Sequence, residues 1–229
     1  MKDLAVIETI LRNRYHFFAE IRDGVGLGEK MRAMLISSLA FLALYGAVLG
    51  STHSLWQTLS SAVKLPLLFL ATLIVCAPTL YFFNVLFGSN QSLTQNVALI
   101  LTAITVTAVL LLSFAPIVVF FLLTTSGYQF FKLLNVMIFV ICGVVGVIFL
   151  AQGMKIVSAA GKEGVTARRW VMWLWVLIYA FVGSQMAWTL RPFIGAPSMQ
   201  FELFRQLGGN FYTNVFASIG EILGFFVVR

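Results

Sequence analysis

The side chains of this sequence that could carry acid–base or metal chemistry are few and far apart. It has two histidines, of which His16 lies in a basic N-terminal stretch and His53 in a polar connection. No cluster of His, Cys, Asp or Glu has metal-ligand spacing, and no serine-hydrolase elbow, zinc-protease or phosphate-loop motif occurs. Because catalysis needs convergent titratable groups, the sequence predicts a protein that is not an enzyme and that holds no metal or cofactor.

Carboxylates are missing where a coupled transporter would need them. The chain has eight acidic residues, and none lies between Glu29 and Glu163. Proton- and cation-coupled carriers usually place acids or paired charges inside their membrane spans, so a carrier of this kind is disfavoured. A pore formed by several copies of the chain remains an alternative, because backbone and hydroxyl groups can line such a pore.

The elements that position these residues are membrane helices. Hydrophobic residues make up 60% and charged residues 10% of the 229-residue chain, whereas a soluble domain has roughly 25% charged residues. A membrane-spanning helix needs about 20 predominantly apolar residues. The sequence therefore predicts an all-α membrane protein with a five-span bundle over residues 30–195, whose transmembrane helices lie near 31–50, 65–87, 97–115, 130–151 and 170–190.

Prolines and tryptophans mark the predicted spans. Pro78 should kink the second span, and Pro116 should end or bend the third. Ser92 is a good N-cap for the start of the third span. The fifth span opens on two arginines and three tryptophans and closes on Trp188, Arg191 and Pro192, an arrangement that is typical of a helix with its indoles at the headgroup levels.

Two segments outside the spans have a different character. Residues 1–29 are amphipathic and basic, which predicts a cytoplasmic helix that lies in the membrane interface or, equally, one that packs against the protein's own cytosolic loops. Gly24, Gly26 and Gly28 should break this helix. Residues 196–229 mix aromatic and charged positions, which predicts an interfacial or re-entrant, membrane-associated segment. A sixth full span over 211–228 is the alternative.

Seven residues are polar, interfacial or helix-ending side chains in otherwise apolar surroundings. These candidates for a structural or interaction role are Asn84, Lys132, Asn135, Gln185, Trp188, Arg191 and Pro192. Lys132 lies close enough to the end of its span to place its amine at the interface. Arg191 is expected either to pair with Glu202 or Glu221, which would hold the C-terminal segment onto the bundle, or simply to end the fifth span.

The charge distribution predicts an orientation. The net charge is +7, but the basic residues flank apolar spans and do not form a basic face, so nucleic acid is not a predicted partner. With five spans, ten basic residues fall on the N-terminal side and five on the other side. The positive-inside rule then predicts a cytoplasmic N-terminus, and a C-terminus on the opposite side of a bacterial inner or thylakoid-type membrane.

Two motifs near the C-terminal end of the sequence point to a known family. The sequence contains SQMAWTLRPFIGAP over 184–197 and FELFRQLGGNFY over 201–212. These stretches, with their W-T-L-R-P-F-x-G motif, resemble an uncharacterised family of multi-span membrane proteins common in cyanobacteria, some of which carry a misleading actin-binding label. The likeness covers most of the chain, and it implies no activity.

A looser similarity is to Yip-type domains. It depends on an apolar span with an internal proline, the Phe87-Gly88 exit, a polar turn centred on Ser92 and a next span that meets Pro116. This similarity implies five helices and a non-enzymatic role in scaffolding or trafficking.

Together these features predict a non-catalytic integral membrane protein that serves as a scaffold, assembly factor or accessory subunit of a larger membrane complex. The predicted partners are the lipid bilayer and other membrane protein subunits. The alternative function is a small-solute or ion pathway, channel-like or transporter-like, formed by an oligomer. The sequence does not predict an oligomeric state.

Overall fold

The structure is a computed structural model that describes residues 2–86, 91–125, 127–157, 165–195, 200–205 and 208–224. Within these residues the chain forms helices and no strands. Helices α3 to α7 are each long and apolar enough to cross a membrane, so the predicted fold class, an all-α membrane protein with five spanning helices, is confirmed. The helices are α1 (Lys2–Arg12), α2 (Arg14–Arg22), α3 (Leu27–Gly50), α4 (Leu55–Leu86), α5 (Leu93–Thr124), α6 (Tyr128–Val157), α7 (Val165–Thr189) and α8 (Phe211–Ile222).

Small residues bring the spanning helices close together. Helix α3 packs on both α4 and α5, α5 also packs on α6, and α4 also packs on α7. Gly46 and Gly50 of α3 lie so near α4 that a Cβ at either position would overlap the carbonyl group of Ser61 or Gln57. Close backbone approach at small residues increases van der Waals contact between helices in lipid. The G-x-x-x-G spacing of the first span is therefore used within the chain.

Two helices extend well beyond the limits predicted from sequence. Helix α4 begins at Leu55 rather than at 65, because the polar residues that suggested a connection there form a buried helical face. Helix α5 runs through Pro116 to Thr124 rather than ending at 115, and α4 is continuous through Pro78. Apolar residues lie on both sides of each proline, and in lipid a continuous helix leaves the fewest backbone groups without a partner.

The lengths of α4 and α5 place their ends outside the apolar layer. Each has 32 residues, which corresponds to ~48 Å at ~1.5 Å per residue, against a hydrocarbon core of ~30 Å. The first turns of α4 and the last turns of α5 therefore reach the headgroup region, where polar side chains and turns are tolerated. This region carries the candidate site.

The N-terminal helices α1 and α2 fold back on the bundle. They are separated at Asn13, and Phe17, Phe18 and Ile21 on the apolar side of α2 are buried. Phe18 lies against Gly153 of α6 so closely that a Cβ at the glycine would contact its ring. The apolar side of α2 therefore packs against the protein itself, and the position of residues 1–29 in the membrane interface stays a prediction.

The turn between α2 and α3 is closed by glycines and an ion pair. Gly24 and Gly26 adopt φ values of 75° and 61°, a region that favours glycine, whereas Gly28 lies inside α3 and breaks nothing. Lys30 Nζ lies 3.1 Å from Glu20 Oε2 and 2.6 Å from the Val25 carbonyl oxygen. These contacts fix the entry into the first span.

Ser92 caps α5 as predicted. Its Oγ accepts a hydrogen bond from the Gln95 N–H at 3.1 Å, and Gln95 Oε1 accepts from the Ser92 N–H at 2.8 Å, a reciprocal capping box. Gln95 also donates to the Arg22 carbonyl oxygen at 2.8 Å. The cap therefore joins the start of α5 to the end of α2.

After α7 the chain turns back over the end of the bundle. Helix α8 has 12 residues and spans ~18 Å, less than the ~30 Å that a membrane crossing requires, so the described residues form no sixth span. It packs on α6 and α7. We call residues 190–195, 200–205 and 208–222 the C-terminal cap. Its association with the membrane interface stays a prediction.

Candidate functional site

Lys64 of α4 lies at the centre of the contacts between the bundle and the C-terminal cap. Its side chain is only 4% exposed. The ammonium donates to the carbonyl oxygen of Leu203 and, at 3.3 Å, to that of Pro192, and it lies 4.9 Å from the centre of the Phe204 ring. A buried ammonium needs acceptors for its N–H groups. All three contacts are in the cap, so Lys64 fixes the cap to α4.

Two more α4 side chains hold the same turn of the cap. Gln57 Nε2 donates to the Pro192 carbonyl oxygen at 2.9 Å, and Ser61 Oγ donates to the Phe193 carbonyl oxygen at 2.6 Å. Gln57, Ser61 and Lys64 share one face of α4, because residues three and four apart are neighbours on a helix. Pro192, a predicted candidate, is buried here, and its carbonyl accepts from both Gln57 and Lys64.

Arg191 and Trp188 are brought together at the start of the cap. The guanidinium carbon of Arg191 lies 3.4 Å from the centre of the Trp188 ring, which stacks a delocalised cation on an indole face. The Arg191 carbonyl accepts from the Arg205 N–H at 3.2 Å. Partial burial, and then the charge of Arg205, lower the pKa of Arg191, although an arginine stays protonated.

The carboxylates considered as partners for Arg191 bind other side chains. Arg205 Nε donates to Glu202 Oε2 at 3.2 Å, within one segment of the cap. Glu221 Oε2 accepts from Gln129 Nε2 of α6 at 2.7 Å. The contacts of these two acids therefore close the cap and join α8 to α6.

Lys132 connects α6 to α8 as well. Its Nζ donates to Asn214 Oδ1 of α8 at 3.0 Å and lies 5.7 Å from the centre of the Tyr128 ring. Glu221 and Arg205 are close enough to interact electrostatically with it. Lys132 is thus at the end of its span, as expected for a lysine that extends toward the interface, and it contributes to the same polar layer as Arg191.

Asn135 and Asn84 lie apart from the cap and from each other. Asn135 Oδ1 accepts from the Tyr45 hydroxyl at 2.9 Å, which joins α6 to α3. Asn84 Nδ2 donates to Asn96 Oδ1 at 2.6 Å, near the opposite end of the bundle, which joins α4 to α5. Interhelical hydrogen bonds of this kind stabilise membrane bundles modestly. The seven candidates therefore form three groups and not one site.

Gln185 and Trp188 differ in what surrounds their polar atoms. The carbonyl oxygen of Gln185 accepts from the Thr189 hydroxyl at 2.9 Å, and its side chain makes no hydrogen bond with any other described residue. The indole N–H of Trp188 is buried and has no acceptor among the described residues. Buried indole donors usually find a partner, so the Trp188 N–H departs from the usual pattern.

Sequence reasoning missed Gln57, Ser61 and Lys64. A signal was available, because polar residues at 57, 61 and 64 recur at helical spacing. The sequence predicts that the second span starts near residue 65 and that the residues before it, such as His53, form a polar connection, so these three polar residues fall outside the predicted helix.

The described residues enclose a small apolar cavity within the spans. A cavity between α3, α4 and α5 has a volume of about 10 Å³ and is lined by apolar side chains such as Leu42, Pro66 and Leu73. Ligand pockets usually measure ~300–1,000 Å³. In the part of the chain that the structure describes, no group of three His, Cys, Asp or Glu side chains lies close enough to hold a metal ion.

The arrangement fixes helices together and presents positive charge at one end of the bundle. Its side chains donate and accept hydrogen bonds within the chain, and its cations lie beside apolar and aromatic surfaces. Comparisons with protein-family models, with curated proteins and with solved structures find no match to this chain.

Proposed function

We propose that this integral membrane protein is a non-catalytic organiser, which serves as a scaffold, assembly factor or accessory subunit of a larger membrane complex. The observation that carries the proposal is that buried polar side chains of three spanning helices, α4, α5 and α6, bind other parts of the same chain. Lys64 binds the cap, Asn135 binds Tyr45, and Asn84 binds Asn96. A solute pathway would need polar groups that face a water-filled route.

The outer surface of α7 supports a role in assembly. In the most apolar 18-residue stretch of α7 only 17% of the residues are buried, whereas the corresponding share in α3 is 50%. Its exposed side chains include Trp173, Leu177 and Phe181. The main contacts of α7 are with α4 and α8. Its remaining surface is a wide apolar face, which we assign to other membrane subunits.

The test is photo-crosslinking in native membranes from a reactive residue at Leu177, with Val140 on the exposed side of α6 as the matched control. Both positions are exposed and apolar. We expect Leu177 to give one reproducible protein adduct that co-migrates with the chain after extraction in mild detergent. Val140 should give no protein adduct. Equal adducts at both sites, or none at either, would contradict a subunit interface on α7.

The alternative function is a small-solute or ion pathway in an oligomer. It would be favoured if the protein migrates alone from native membranes while vesicles that contain only this protein show solute flux. A bacterial inner or thylakoid-type membrane, with the N-terminus cytoplasmic, stays part of the proposal and is supported by the excess of basic residues on that side. The resemblance to the cyanobacterial family and to Yip-type domains is compatible with an organising role.

A further inference from the structure

We propose that α8 lies in the plane of the membrane, with one side inserted among the lipid acyl chains of the leaflet on the cap side. The side that enters the lipid consists of Tyr212, Phe216, Ile219 and the C-cap residue Leu223, which we call the outer stripe. The inference goes beyond the organising role and does not depend on it. It rests on which side of α8 faces the protein, on the depth of its contacts with α6 and α7, and on the exposure of the outer stripe.

Helix α8 turns its polar side toward the protein. Lys132 Nζ of α6 donates to Asn214 Oδ1 at 3.0 Å, and Gln129 Nε2 of α6 donates to Glu221 Oε2 at 2.7 Å. Ser218 lies between these two positions in the sequence and is only 2% exposed. Asn214, Ser218 and Glu221 follow one another at spacings of four and three, so they form one row on the helix. This row, which includes the one charged residue of α8, packs against α6.

The apolar side of α8 faces outward as a result. The residues of the outer stripe follow one another at spacings of four, three and four, on the side of the helix opposite the polar row. All four are exposed, from 39% for Ile219 to 71% for Phe216. A surface helix of a water-soluble protein has the reverse arrangement, with its apolar residues against the core. The outer stripe therefore needs an apolar medium outside the chain.

The contacts with α7 place the start of α8 at the depth of the apolar layer. The rings of Phe181 and Tyr212 stack with their centres 6.3 Å apart, and Ser184 Oγ donates to the Tyr212 hydroxyl at 3.0 Å. Phe181 lies ~12 Å before the end of α7 at ~1.5 Å per residue. Helix α7 has 25 residues, or ~38 Å, so when it is centred on a ~30 Å core it extends only ~4 Å past each side. Tyr212 therefore lies beside a part of α7 that is inside the hydrocarbon layer.

The contacts with α6 place the rest of α8 at the boundary of the same layer. Helix α6 has 30 residues, or ~45 Å, and extends ~8 Å past each side of the core. Lys132, which binds Asn214, lies ~6 Å after the start of α6. Helix α8 is thus beside the ends of α6 and α7 and not above them. Helices that lie in the membrane plane bury their apolar side ~5–10 Å into this boundary.

The composition of the outer stripe favours acyl chains over a second protein. Protein interfaces combine apolar contacts with about one hydrogen bond per 100–200 Å². The side chains of the outer stripe have a single polar group, the Tyr212 hydroxyl, and it already accepts from Ser184 within the chain. A surface with no further polar group is suited to lipid, which requires none.

The test is spin labelling of the purified full chain in phosphatidylcholine vesicles, in a background that carries Cys76→Ala and Cys142→Ala. A label at Phe216→Cys is compared with a label at Ala217→Cys. Ala217 is the matched control, because it is also exposed and lies ~100° around the helix from Phe216. We expect the Phe216 label to collide more often with oxygen than with a water-soluble nickel chelate, at a depth of ~5–10 Å. The Ala217 label should show the opposite preference.

A label at Ile219→Cys should report the same depth as the Phe216 label, so the test does not depend on the folding of one variant. Preferential collision of both stripe labels with the nickel chelate would place the outer stripe in water and overturn the proposal. Equal depth of the Phe216 and Ala217 labels would overturn it as well. Infrequent collision with either reagent would mean that protein covers the outer stripe. The vesicles contain only this chain, so these results are independent of whether another subunit binds α7.

Discussion

Lys64 is a buried cation that is stabilised by carbonyl groups and an aromatic ring. No carboxylate of the described residues lies within ion-pair distance of it. Its acceptors are the carbonyls of Leu203 and Pro192, which belong to a turn and are not used in a helix. Hydrogen bonds from charged donors contribute about 1.5–3 kcal/mol each. One side chain can therefore hold an irregular segment against a membrane helix.

Replacing Lys64 by methionine should loosen the cap. The change keeps the length and apolar stem of the side chain but removes the ammonium, so the carbonyl oxygens of Pro192 and Leu203 each lose a hydrogen-bond donor. We expect faster hydrogen exchange in peptides that cover 200–205, including the Arg205 N–H that binds the Arg191 carbonyl. Hydrogen-exchange mass spectrometry in detergent measures this directly.

Lys155→Met is the control, since Lys155 is an exposed lysine in the last turn of α6, at the opposite end of the bundle. It should leave exchange in the cap unchanged. If Lys64→Met also leaves it unchanged, Lys64 does not hold the cap.

At the scale of elements, packing of α3 on α4 depends on the absence of side chains at Gly46 and Gly50. A Cβ at Gly46 would overlap the Ser61 carbonyl, which is part of the α4 backbone and has no freedom to move aside. Gly143 of α6 has open space around its Cβ position. Two glycines in the middle of membrane helices thus have opposite environments.

Alanine substitutions at these glycines should therefore have opposite effects. Gly46→Ala should lower the thermal midpoint in detergent, because α3 and α4 must separate to admit the methyl group. Gly143→Ala should keep or raise it, since alanine is favoured over glycine in a helix by about 1 kcal/mol. The same direction of change in both variants would contradict the close packing of α3 on α4.

The sequence predicts element types better than element limits. Long apolar runs leave a helix as the only structure that satisfies the backbone in lipid, which is why the five spans were predictable. The start of α4 at Leu55 was not predictable from the sequence. The first turns of α4 carry polar residues that pack against the C-terminal cap, and in sequence such residues resemble a loop. Pro116 likewise predicted an end or a bend in the third span, and α5 continues through it to Thr124.

The candidate site was only partly predictable for a related reason. Polar or helix-ending residues stand out in an apolar sequence, so the sequence was sufficient to select Lys132, Asn135, Arg191 and Pro192. The partners of these residues could not be predicted, because contacts such as that of Asn135 with Tyr45 depend on the rotation of each helix about its axis. For Arg191 the sequence allowed a pairing with an acid or a residue that simply ends the span, and its stacking on Trp188 depends on the same rotation.

At the scale of the whole molecule, two polar layers close the two ends of an apolar bundle. Helices α1 and α2 cover the end where α3 and α5 begin, with Gln95 bound to the carbonyl of Arg22. The C-terminal cap covers the other end, where Lys64 and Lys132 hold it. An odd number of spans requires these layers to face opposite sides of the membrane.

The labelling of single cysteines in intact cells tests this arrangement most directly. In a background that carries Cys76→Ala and Cys142→Ala, we would place one cysteine at Tyr15→Cys on α2 or at Gly208→Cys in the cap, both at exposed positions. A membrane-impermeant maleimide should label Gly208→Cys in intact cells and Tyr15→Cys only after permeabilisation. The reverse pattern would overturn the orientation alone, whereas labelling of both positions from the same side would contradict the five-span account.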